Sequence, residues 1–125
     1  MEHELKVKPE YYHSLFTGEK TCEVRYNDRD FQVGDVLILH CIEPTNRFLI
    51  DMPLFRTITY VLKGGQYGIH SEYVVLSIHE TEENLKSQRD AIERNINNNQ
   101  QNITLFLGCI AVRRFSTILN RLSED

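Results

Sequence analysis

Cysteine is scarce: Cys22, Cys41 and Cys109 are an odd number with no C-x-x-C pair, so neither a disulfide framework nor a zinc ribbon is indicated. The opening MEHELKVKPE has no apolar core of the kind a secretory signal needs, and with the cysteine usage it leads us to expect a reducing cytoplasm. There is no basic surplus either. The formal net charge is −4, which argues against a domain that coats nucleic acid through bulk electrostatics, so contact with RNA or DNA must come from a local basic site. Residues 1–80 carry the whole imbalance, with eight Lys/Arg against twelve Asp/Glu, and residues 81–125 balance. The apolar run ITLFLGCIAV at 103–112 is followed at once by Arg113 and Arg114, and it has about half of the roughly 20 residues that a spanning helix needs; no membrane span is expected. The five histidines are scattered, with no i, i+4 or short ligand spacing, and no metal or other cofactor is expected.

What is present is ordinary globular composition, 41% apolar and 26% charged over 125 residues, enough for one domain with a real core. HELKVK reads as a first strand with Leu5 and Val7 alternating against Lys6 and Lys8. A helix follows from about Pro9 to Thr17: proline suits its first turn, Tyr12, Leu15 and Phe16 share a face, and Gly18 stops it. VLILHCI, LFRTITYVL and EYVVLSI read as further strands, separated by turns at VGD and KGGQYG. After His79 the pattern becomes helical. Thr81 is a candidate N-cap before Glu82 and Glu83, and Leu85, Ile92 and Ile96 form a thin stripe. A second helix can be drawn over 103–122. The expected architecture is α+β: a barrel with one early helix over residues 1–80, and a C-terminal helical hairpin over 81–125 that could mediate dimerisation.

The stretch GEKTCEVRYNDRD at 18–30 carries the chemistry. From Thr21 the period is two, so Cys22, Val24 and Tyr26 share one strand face while Glu23 and Arg25 share the other, with Lys20 at the helix-to-strand junction. Lys20 and Arg25 can bind a phosphate or a base edge, the arginine through two parallel hydrogen bonds. Glu23 can accept from an exocyclic amine or hold the two cations in place. The alternative is a structural ion-pair cluster. Asn27 and Asp28 are turn formers, and Arg29 could either pair across the turn or reach a ligand. Lys63, with Gly64, Gly65 and Tyr67, forms a basic and aromatic loop able to stack a base and hold a phosphate, although it lacks the phosphate-loop pattern.

Gly18, Lys20, Glu23 and Arg25 spell G-x-K-x-x-E-x-R, which resembles the signature of the ASCH (activating-signal-cointegrator homology) domain, a β-barrel relative of the PUA RNA-binding fold. The blocks HELKVKPEYY, NDRDFQVGDVLIL, TYVLKGG and YVVLSI occur in order around it, over roughly residues 3–79. They resemble a group of short ASCH-like proteins of unknown function from bacteria and their phages. The resemblance implies a PUA-like barrel of five or six strands, with a cleft beside the first helix lined by Lys20, Glu23 and Arg25. Asn27, Asp28 and Arg29 would stand at its rim. It also implies a role in binding RNA or a modified nucleoside. Some ASCH relatives deacetylate an acetylated cytidine with a lysine, a threonine and a glutamate. For such an enzyme the catalytic candidates here are Lys20, which matches the lysine, and Glu23, which stands where the threonine would be, with Glu72 the candidate for the distant glutamate.

Overall fold

The computed structural model describes residues 1–42 and 52–94. Among the described residues five strands and two helices run in the order β1 (Glu2–Val7), α1 (Pro9–Thr17), β2 (Cys22–Tyr26), β3 (Val36–Cys41), β4 (Leu54–Lys63), β5 (Tyr73–His79) and α2, whose described part spans 82–94. The strands form one sheet in the order β1-β3-β4-β5-β2. β1 and β3 are parallel, and the other neighbours are antiparallel. The fold is α+β, its sheet curled into a half-barrel. The second helix expected over 103–122, and the hairpin with it, lies outside the described residues. Among the described residues no helix is long and apolar enough to cross a membrane.

Each element follows from local chemistry. In β1 the period of two buries His3, Leu5 and Val7 and leaves Glu2, Glu4 and Lys6 exposed. α1 begins at Pro9, buries Tyr12, Leu15 and Phe16, and ends where Gly18 adopts a left-handed φ of 86° and donates its N–H to the Leu15 carbonyl; a side chain there would be strained. Tyr12 anchors the helix from inside, its hydroxyl donating to the Met52 carbonyl, and burial pushes its pKa far up. The turn between β4 and β5 requires glycine at 64, because a Cβ would stand 1.9 Å from the His70 carbonyl oxygen. A register shift between Ile58 and Tyr60 interrupts β4. Ahead of it Leu54, Phe55, Arg56 and Ile58 are buried, while Thr59 and Tyr60 beyond Ile58 are exposed.

The core gathers Leu5, Leu15, Phe16, Leu37, Leu39 and Leu76 with residues from every element but β2. α2 contributes Leu85, Ala91 and Ile92 to the same cluster. Its start matches the expected cap: the Asn84 amide donates to Thr81 Oγ1 at 3.1 Å, and the Thr81 amide donates to Asn84 Oδ1 at 2.9 Å, satisfying two backbone donors reciprocally.

β2 departs from the usual arrangement of apolar side chains in and charged side chains out. Glu23 is paired with Leu76 and Arg25 with Val74. Residues directly opposite each other share a face, and both partners are buried, so the charged face of β2 points inward. Val24 and Tyr26 face outward, 58% and 48% exposed. Beside them on that outer face Tyr26 and Tyr73 meet edge to face.

Asp35 ties the start of β1 to the turn before β3. Its carboxylate accepts from His3 Nε2 at 2.8 Å, from the Gln32 amide at 3.1 Å and from the Met1 ammonium at 3.3 Å. Burial pushes the Asp35 carboxyl up, but these donors outweigh it and hold the pKa below the ordinary value. A carboxyl lowered in the folded state stabilises fully above its unfolded value of about 3.9, and that contribution is lost as pH falls through the folded value. Asp35→Asn is therefore expected to lower the urea midpoint near neutrality, and the gap from the wild type to narrow as the pH falls through the folded value; parallel midpoints across the acid range would contradict this assignment.

Candidate functional site

Lys20 is set between α1 and β2 by its own amide, which donates to the Ser14 carbonyl at 3.0 Å. Its ammonium then reaches Glu23 Oε1 at 2.7 Å and the Cys22 carbonyl, and lies 5.6 Å from the centre of the Tyr11 ring. The other oxygen, Glu23 Oε2, accepts from Arg25 Nε at 2.9 Å. Glu23 is only 4% exposed. A carboxylate that deep is costly to desolvate, and two charge-assisted hydrogen bonds offset the cost.

Arg25 has a second task. The carbonyls of Met1 and Val7 bond to the β3 side, so by the period of two those of Glu4 and Lys6 face the free edge of β1. Arg25 Nη2 donates to the Lys6 carbonyl at 3.0 Å and Arg29 Nη1 to the Glu4 carbonyl at 2.8 Å. β1 and β2 are the two outer strands of the sheet, and these guanidinium groups join them where no backbone ladder does.

Above the junction lies a cleft of about 460 Å³, with Lys6, Lys8, Tyr11, Lys20, Glu23 and Arg25 on its walls. Four formal positive charges face one negative charge, so the local balance is opposite in sign to that of the chain. Lys20 also borders a second cavity of about 580 Å³, whose walls include Thr21, Arg56, Glu80 and Glu82.

The structure thus brings Lys20, Glu23 and Arg25 together. Asn27 makes the turn after β2, its Oδ1 accepting from the Phe31 amide at 3.3 Å, and Arg29 joins the strand edges. Lys63 pairs with Val74, which pairs with Arg25, yet it lies at the end of β4 and is exposed. Tyr67 is 85% exposed in the following turn, and Glu72 is exposed in the same connection. None of these three lines either cavity. Lys6, Lys8 and Tyr11 join the cleft without a motif in the sequence to mark them. The signal for the two lysines was their spacing of two across the end of β1, whose meaning depends on which strand edge β1 meets. Among the described residues no cluster of three or more His, Cys, Asp or Glu is placed to hold a metal ion.

Residues 2–78, which contain the whole sheet apart from its last residue and the whole cationic cleft, match a family described as a domain of unknown function (DUF3850). The chain belongs to that family. No curated protein matches it. The ion cluster and the guanidinium contacts of the DUF3850 domain both lie inside the matched residues, whereas the whole described part of α2 lies beyond them.

The cluster should be felt in the stability of the DUF3850 domain. Glu23→Ala leaves Lys20 and Arg25, whose side chains are 24% and 22% exposed, without their shared carboxylate, at an expected cost of about 2 kcal/mol. Val24→Ser, one residue on and facing outward, is expected to stay within about 0.5 kcal/mol of the wild type. Denaturant midpoints decide; equal effects of the two substitutions would mean that the charged face does not point inward.

Proposed function

We propose that this chain binds RNA or a modified nucleoside through the cleft between β1, α1 and β2, as a PUA-like protein of the ASCH type. One observation carries the reading: Lys6, Lys8, Lys20 and Arg25 converge on a single cleft in a chain whose net charge is −4. An acidic protein gathers cations locally against its own long-range field, and an anionic ligand is the natural occupant of such a place. Tyr11, 45% exposed on the same wall, supplies a ring on which a base can stack. The sequence signature G-x-K-x-x-E-x-R supports the same assignment, since three of its four residues form the floor of the cleft. Glu23 orients Lys20 and Arg25, and Arg25 keeps donor capacity toward the strand edge.

The test is equilibrium binding of short single-stranded RNA, structured RNA and a panel of modified nucleosides at low salt. Lys6 and Lys8 are exposed and outside the ion cluster, so Lys6→Ala/Lys8→Ala removes charge while leaving the cluster intact. It is expected to weaken RNA binding and to lower the salt slope by about two, one for each lysine that no longer neutralises a phosphate. Lys20→Ala/Arg25→Ala is expected to abolish binding. Absence of binding to every probe by folded wild-type protein would count this reading out.

A further inference from the structure

We infer that the second cavity bordering Lys20 is the nucleoside half of a two-part site, in which one nucleotide unit sets its phosphate in the cationic cleft and its base and sugar in the cavity. The inference rests on the reading of the cleft as a nucleic-acid site and deepens it. Among the described residues Lys20 is the one side chain common to both walls, so the two spaces are neighbours across a single lysine. Their chemistry differs in the way the two halves of a nucleotide differ. The cleft sets four cationic side chains against one carboxylate, beside the apolar Val7 and Val24, and that surplus of charged donors suits a phosphate. The cavity sets the carboxylates of Glu80 and Glu82 and the hydroxyl of Thr21 among the cations Lys20 and Arg56. Two carboxylates disfavour an anion, but they accept well from an exocyclic amine or a ribose hydroxyl. The volume of about 580 Å³ falls within the roughly 300–1,000 Å³ of small-molecule sites.

The wall of this cavity is set before any ligand arrives. Arg56 is 5% exposed and donates to the Phe55 carbonyl at 2.8 Å and to the Leu15 carbonyl at 2.9 Å. Thus anchored, it pairs with Glu80 at 3.3 Å and fixes that carboxylate. The reciprocal bonds of Thr81 and Asn84 fix the chain immediately after it. A group held in this way loses little freedom when it binds, which is the condition for affinity from a small number of hydrogen bonds.

The experiment measures the affinity of the full chain for three probes: inorganic phosphate, cytidine and cytidine 5′-monophosphate. Wild type is compared with Thr21→Val and Glu82→Gln, both at exposed positions, with circular dichroism to verify folding. The monophosphate is expected to bind about tenfold or more tighter than phosphate, and each variant to lose about tenfold toward the monophosphate, the scale of one hydrogen bond, while keeping its affinity for phosphate. A monophosphate no tighter than phosphate, or an advantage over phosphate that both variants retain, overturns the two-part site. If phosphate still binds in a way that Lys6→Ala/Lys8→Ala weakens, the cleft reading survives and this inference alone fails. If wild type binds neither these probes nor RNA, both fail together.

Discussion

A sheet of five strands that curls toward closure must do something with its two edges, and here the edges are β1 and β2. Unpaired edge groups either stay wet, invite another chain, or find partners in the side chains. Arg25 and Arg29 supply those partners, each donating to a carbonyl on the free edge of β1. A guanidinium suits this task because it carries several donors on a planar head that cannot lose its proton. Glu23 holds Arg25 from the other side, and Lys20 completes the charge balance around that carboxylate. The inward-facing charges of β2, with Arg29 in the turn that follows it, are therefore the device that joins the two edges of the sheet.

This device has a consequence for chemistry. A ladder of backbone bonds would have drawn β1 and β2 into the usual strand spacing of about 4.8 Å. Joining them through arginine side chains leaves a cleft between the strands, and the residues that make the joint become its floor. One buried carboxylate cannot neutralise four cations, so the cleft keeps a positive field in an acidic protein. On the proposed reading the same side chains serve structure and binding, so the exposed Lys6 and Lys8 are more informative about binding than Arg25 is.

A second organising contact lies on the far side of Lys20. Arg56 is almost fully buried in the middle of the fold and ties the carbonyl end of α1, β4 and the exit of β5 through Leu15, Phe55 and Glu80. It carries α2 with it, because Thr81 follows Glu80 directly and begins that helix. Lys20 thus stands between two ion-paired frameworks, one joining the sheet edges and one joining the helices to the sheet.

Much of this was readable from local pattern, since the signals are short-range. The alternation of β1, the proline and glycine that bound α1, the G-G turn after β4 and the Thr81 cap each depend on residues a few positions apart, and each stands where the period placed it. The grouping of Lys20, Glu23 and Arg25 was readable for the same reason, all three lying within six residues. What the period of two could not determine is which face of β2 points inward, because hydrophobicity favours Val24 and Tyr26 there and only the β1 carbonyls across the gap reverse the choice. Strand order is equally non-local: β1 and β2 are separated by a single helix in the chain, yet they end as opposite edges of the sheet and meet again through its curl. That geometry adds Lys6, Lys8 and Tyr11 to the cleft, and sets Glu80, far along the chain from Lys20, on the wall of the neighbouring cavity. The sequence by itself thus determined the elements and the local charged motif, and only the tertiary structure decided what that motif faces, because facing is a property of strand edges brought together over long sequence separations.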